Sequence, residues 1–378
     1  MHNGGMHVEN TYQALEHLIR MQWEGKKVLP PILWGPPGVG KSERIAAFAE
    51  RAGAYLYVAI ASLREPVDFG GFPRIAAEGD AVDYLPLRWV QSAAEQARKG
   101  QRVLIFLDEL STAPPAVQKA LLRMVLEKVV GDHHLPKENI AFAAAANPPE
   151  LAVGGYPLEA PLANRFVHLE IPSDPVALSE GWLAWASKQG PGLAIVAAFI
   201  RRRPELLLQI PKERVLRGRS WPSPRTWASV GTVLDERQSI SAGVLEPLVL
   251  DAVGRGAGQE FLVWYEQADL PDPESILAAP REAQMPTRQD QMFALCGMVV
   301  AAATQRKSKK QELVKRLSQA SEFLARITRA GYPGVVVATA QPLAEAVLDN
   351  IDLFGGQLPE FLMSLPKELL EMRGALRR

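Results

Sequence analysis

Residues 35–42 read Gly-Pro-Pro-Gly-Val-Gly-Lys-Ser, and no other run so limits what this chain can fold into. An apolar stretch, Pro31–Trp34, leads into it, and Ser42–Ala52 follows with a helical pattern that ends near Gly53. Gly35, Gly40, Lys41 and Ser42 meet the spacing Gly-x-x-x-x-Gly-Lys-Ser/Thr. Glycine lets the backbone wrap closely around an anion. The N–H groups of such a loop, with the positive end of the helix behind it, then bind phosphate oxygens. The setting of strand, glycine loop and helix therefore predicts a phosphate site made by Gly35, Pro36, Pro37, Gly38, Val39, Gly40, Lys41 and Ser42. Lys41 would reach the β- and γ-phosphates, and the Ser42 hydroxyl would ligate Mg²⁺.

The surrounding pattern says what carries that loop. Tyr55–Ile60, Arg102–Leu107, Ile140–Ala146 and Phe166–Ile171 read as further strands. Residues 9–22, Leu87–Lys99 and the stretch from Pro114–Pro115 to about Lys128 read as helices. Apolar strands alternating with helices predict an α/β domain with a parallel sheet covered on both faces. Two segments interrupt the alternation. Residues 62–86, rich in glycine and proline, read as inserted loops with a small hairpin, and residues 129–138 read as a hairpin tip. After Pro172 the pattern changes to helices broken by proline and glycine, as at Leu206–Pro211, Leu270–Pro273 and Gly331–Gly334. Lys307–Lys310 reads as the solvated start of a helix over Gln311–Arg329.

The apolar strand Val103–Leu107 ends in Asp108-Glu109. In an open parallel sheet, ligands gather at the carboxyl ends of strands. Asp108 would hold Mg²⁺ through water, and Glu109 would orient or activate an attacking water, so the chain would bind ATP and hydrolyse it.

With these motifs in this order, residues 10–235 or so resemble the AAA+ ATPases, nearest to the MoxR and dynein-related branch. The resemblance implies a sheet of order 5-1-4-3-2, an α-helical lid after it and an extra C-terminal helical region. The boundaries would be 1–172 for the core, 173–270 for the lid and 271–378 for the remainder. By the same resemblance, Asn147 in Ala-Ala-Asn-Pro takes the sensor 1 position, and Arg165 in Leu-Ala-Asn-Arg-Phe takes that of an arginine finger. Arg225 in Trp-Pro-Ser-Pro-Arg-Thr-Trp takes that of the sensor 2 arginine. A finger that acts on a neighbour's nucleotide implies a ring of identical subunits, six by the family pattern. The MoxR branch further implies protein remodelling with a partner that carries a von Willebrand factor A (VWA) domain. Residues 62–86 and 128–139 take the places of the family's substrate-facing loops. Phe69, Phe72 and Trp89 are either contacts of such a loop or anchors that pack it onto the sheet.

Composition narrows the alternatives. Lysine plus arginine and aspartate plus glutamate each number 42, a balance that disfavours a broad nucleic-acid surface. The competing expectation is a motor for a nucleic-acid-processing or restriction complex. Cys296 is the only cysteine, which excludes an internal disulfide and suits a reducing, cytoplasmic setting. The longest apolar stretch, near Cys296–Ala303, is far short of the ~20 residues that a membrane span requires. His133-His134 lacks a third ligand at zinc spacing, and Gly254–Gly258 reads as a helix break.

Overall fold

The computed structural model describes residues 4–77, 79–152, 155–304, 310–354, 359 and 362. The Lys307–Lys309 part of the basic run lies outside them. The chain forms two units, Met1–Ser173 and Asp174–Arg378.

In the first unit the strands are β1 (Pro31–Trp34), β2 (Tyr55–Ile60), β3 (Phe72–Ile75), β4 (Val82–Leu85), β5 (Val103–Asp108), β6 (Val129–Val130), β7 (His133–His134), β8 (Ile140–Ala146) and β9 (Val167–Glu170). Five of them form one sheet in the order β2-β5-β8-β1-β9, parallel at every pairing. This is the expected 5-1-4-3-2 order once the two hairpins are set aside. β5 up to Leu107 and all of β8 lie inside the sheet and are apolar, because helices cover both of their faces. β2 is an edge strand, and Tyr55, Val58 and Ile60 are exposed on it.

The first helix, Gly4–Trp23, buries Val8, Tyr12, Leu15, Ile19 and Trp23 on one stripe. Two side chains lock it to the sheet. The buried Gln22 amide both donates to the Phe142 carbonyl (3.0 Å) and accepts from the Phe142 N–H (2.9 Å). The Trp23 indole donates to the Val103 carbonyl at 2.8 Å.

Both interruptions are antiparallel hairpins, β3–β4 and β6–β7. Phe69, Phe72 and Trp89, in and beside the first, divide cleanly. Phe69 is buried, and Trp89 stacks on Tyr57 with ring centroids 4.3 Å apart, so both are anchors. Phe72 is 59% exposed. Lys128 closes the helix Pro115–Glu127 in the left-handed region, φ 55°. Its ammonium donates to the carbonyls of Lys137 and Ile140, both at 2.7 Å, and so straps the base of the second hairpin. Burial lowers that ammonium to about 8.

The second unit is helical, and its prolines start helices more than they break them. Pro175, Pro191, Pro224, Pro273 and Pro333 each occupy the first position of a helix, where the missing N–H costs nothing. One packing group centres on Phe199, Trp227, Phe261 and Trp264. Another gathers Cys296, Phe323, Leu324 and Val336. Burial pushes the Cys296 thiol up to about 12, so it stays protonated and inert. Among the described residues, no helix is long and apolar enough to cross a membrane.

The helices Pro191–Arg202 and Pro224–Asp235 cross at Gly192 and Gly231. A Cβ on Gly192 would lie 2.1 Å from the Gly231 carbonyl oxygen and 2.8 Å from the Asp235 nitrogen. Asp235 in turn accepts from the Gly192 N–H at 2.7 Å and caps that helix. Both obstacles are backbone, so the helices must part to admit a methyl group. Gly192→Ala should destabilise the second unit by about 1–3 kcal/mol, as other overpacked cores do. For a unit of this size that lowers the melting temperature by roughly 2–4 °C per kcal/mol. A thermal melt superimposable on that of the parent would refute the close crossing.

Candidate active site

The carboxyl ends of β1, β5 and β8 bring the expected groups together. After β1 the chain turns through Gly35–Gly40. A Cβ on Gly35 would meet the Ile171 side chain at 3.0 Å. Gly40 sits at φ 92° as the N-cap of the helix Lys41–Arg51, a left-handed position that glycine adopts without strain. The helix thus starts at the residue whose ammonium must reach the phosphates.

Lys41 is 8% exposed. Its Nζ donates to the Gly35 carbonyl (2.7 Å), the Pro36 carbonyl (2.9 Å) and Asn147 Oδ1 (2.8 Å). Burying an ammonium is costly unless acceptors surround it, and here the loop's own carbonyls and the end of β8 supply them. Asn147 follows β8 directly, and its N–H donates to the buried Ser111 Oγ at 3.1 Å. That contact fixes the backbone from which the amide points at Lys41.

Ser42 Oγ donates to Asp108 Oδ2 at 2.6 Å. Asp108 Oδ1 accepts from the Glu109 N–H at 2.9 Å. Glu109 itself is exposed and lies in the left-handed region, φ 55° and ψ 37°. A non-glycine residue there is strained by about 1–3 kcal/mol and persists only where its surroundings over-determine it. They do so here. The Glu109 carbonyl accepts from both the N–H (3.0 Å) and the Oγ1 (2.8 Å) of Thr112. Its Oε2 accepts from Ser62 Oγ at 2.8 Å.

Ser62 is the functional neighbour that sequence reasoning missed. It lies in the one-turn helix Ala61–Leu63 after β2. The signal available was its place just past β2, which the expected strand order sets beside β5.

Arg165 stands apart from this network. It lies in the turn between the short helix Ala160–Ala163 and β9, and its guanidinium donates to the Pro161 carbonyl at 3.2 Å. Arg225 belongs to the second unit, where it is exposed as the second residue of the helix Pro224–Asp235. That helix is capped by the reciprocal bonds of Ser223 and Thr226.

A parallel sheet of this order, with a glycine loop after β1, an acid pair ending β5 and an asparagine after β8, defines an α/β P-loop core of the AAA+ kind, here followed by many helices. Residues 30–166 match the family model of the AAA domain, dynein-related subfamily, which agrees with the AAA+ fold of this core. Among solved structures the chain is similar to a proline-to-glycine variant of RuvB from Thermotoga maritima, at 14% identity and a TM-score of 0.41, covering 73% of this chain and 82% of that one. The T. maritima RuvB Holliday junction branch migration motor follows at 15%, with a TM-score of 0.38 and coverage of 72% and 81%. NtrX from Brucella abortus stands at 16% and 0.31, covering 68% and 65%. No curated protein matches it significantly.

Proposed function

We propose that this chain hydrolyses ATP and acts as a MoxR-type ring motor, six copies to a ring, that remodels a protein substrate together with a VWA-domain partner. The observation that carries hydrolysis is the convergence of Lys41, Ser42, Asp108, Glu109 and Asn147 at the carboxyl ends of three adjacent strands.

Each group has a role by its chemistry. The loop N–H groups and Lys41 bind the phosphates, and Lys41 exchanges its carbonyl partners for β- and γ-oxygens. Ser42 and Asp108 present two oxygens to one point, the donor type that Mg²⁺ takes when phosphates complete its shell. When bound, that ion would neutralise charge on the transferred phosphoryl group. Glu109 orients and deprotonates the attacking water, and Ser62 holds it beforehand. Asn147 senses the γ-phosphate through Lys41. Arg165 is lent to a neighbouring subunit's site, and Arg225 takes the sensor 2 role that the resemblance gives it.

The remodelling part rests on the two hairpins. Both occupy the positions that the MoxR resemblance assigns to substrate-facing loops, and Phe72 on the first is exposed. The VWA partner rests on the resemblance alone.

What stimulates turnover tests this function. An unfolded protein, or a VWA-domain protein, should raise ATPase turnover severalfold, and duplex DNA should leave it unchanged. DNA stimulation that collapses steeply between 50 and 200 mM salt, as phosphate contacts do, would replace remodelling with nucleic-acid work.

A further inference from the structure

We propose that Trp34 and His168 are a positioning pair for Arg165, through which the strand entering a subunit's own phosphate loop sets the arginine it lends to the next subunit. The proposal rests on the finger role given to Arg165 above.

Trp34 is the last residue of β1, and Gly35 of the phosphate loop follows it. Across the β1–β9 pair, Trp34 and His168 lie two positions apart, since His168 is opposite Ile32. The indole Nε1 donates to His168 Nδ1 at 2.9 Å. The two rings are nearly parallel, at 12°, with centroids 5.9 Å apart. On its other side, His168 Nε2 lies 2.9 Å from the Ala163 carbonyl oxygen.

An indole N–H can only donate and a carbonyl can only accept. The imidazole between them must therefore accept at Nδ1 and donate at Nε2, which the neutral ring does in one tautomer. Ala163 ends the helix Ala160–Ala163, and its carbonyl also takes the Phe166 N–H at 3.2 Å. Arg165 sits inside the turn so closed, its backbone N–H on the Leu162 carbonyl (3.0 Å) and its guanidinium on the Pro161 carbonyl (3.2 Å). His168 thus holds the same turn that aims the arginine, and Trp34 holds His168. A movement at the end of β1 would reach the Ala163 carbonyl through two hydrogen bonds, and Arg165 through the turn that this carbonyl closes.

The bland alternative is a surface pair that only braces β9. Mixed rings separate the two. Lys41→Ala subunits lose nucleotide but keep Arg165, and Arg165→Ala subunits keep the loop but lose the finger. Mixed, the two inactive variants should restore turnover, because an intact loop then meets an intact finger. His168→Ala in the Lys41→Ala subunit, which lends the finger, should cut the restored rate roughly three- to tenfold, the change expected from one net hydrogen bond. The same substitution in the Arg165→Ala subunit should cost less than about twofold. His168→Gln, whose amide reaches the Nε2 position, should rescue in the finger-lending subunit. His168→Asn, whose amide reaches only the Nδ1 position, should not.

Equal losses from both placements would show that His168 acts on its own loop or on folding, and would overturn the proposal. Rescue by Asn but not Gln would overturn it as well. If the two unmodified variants fail to restore turnover, the finger role falls, and this inference falls with it. Should His168→Ala fail to bind a fluorescent ATP analogue, the Gln and Asn comparison alone decides.

Discussion

Glu109→Gln will leave ATP bound and stop its turnover. Glutamine keeps the size of the side chain and can still accept from Ser62 Oγ, which lies 2.8 Å from Glu109 Oε2. It cannot take a proton from water. General-base catalysis contributes about 10²–10⁴ in rate, and the expected loss lies in that range, with nucleotide affinity unchanged because Lys41 and the loop are untouched. The backbone supports this assignment. Glu109 holds a left-handed conformation that glutamate does not favour, and its hydrogen bonds with Asp108, Thr112 and Ser62 keep it there. Steady-state hydrolysis and equilibrium binding of labelled ATP check the result. Turnover within about threefold of the parent would remove Glu109 as the base.

Arg165→Ala will show a second large loss with a different signature. Each subunit's own loop should bind ATP as before, while turnover falls by up to ~10³–10⁵, the worth of an arginine supplied in trans to a phosphoryl-transfer site. Arg165→Lys should not restore it, because an ammonium lacks the planar fork that spans two phosphate oxygens. The fall should depend on assembly. Below the concentration at which rings form, parent and variant should be equally slow. A parent rate that is independent of protein concentration, or an Arg165→Ala rate matching it, would place the arginine outside the chemistry.

How much of this was legible beforehand follows from the range of the interactions. The phosphate loop, the acid pair and the sheet strands are local patterns, written in contiguous residues, and the structure places Lys41, Ser42, Asp108, Glu109 and Asn147 together. The hairpin over residues 72–85 was signalled by its turn residues, but the division of the aromatics in and beside it was not. Phe69 and Trp89 are anchors because Tyr57, far off in sequence, stacks on Trp89. Ser62 and His168 escaped notice for the same reason, since a lone serine or histidine carries no periodicity and its partner is chosen by strand pairing. Gln22 is a stronger case. A buried glutamine looks like a defect in an amphipathic helix until Phe142 supplies both of its bonds. In the second unit, helices were legible as helices. Nothing in the spacing of Gly192 and Gly231 showed that they face each other.

The edge of the sheet has a consequence for handling the protein. β2 reads Tyr-Leu-Tyr-Val-Ala-Ile, six residues without charge, proline or glycine, and it pairs with β5 on one side. Uncharged, β-prone segments of this length are the ones that stack into cross-β aggregates when they become accessible. Substitutions that loosen the first unit will thus act on solubility before they act on chemistry. Rates for variants at Lys41, Glu109 or Arg165 are comparable only at matched concentrations of soluble protein, after clearing by centrifugation. A variant that loses activity together with soluble yield reports on aggregation rather than on chemistry, whichever residue was changed.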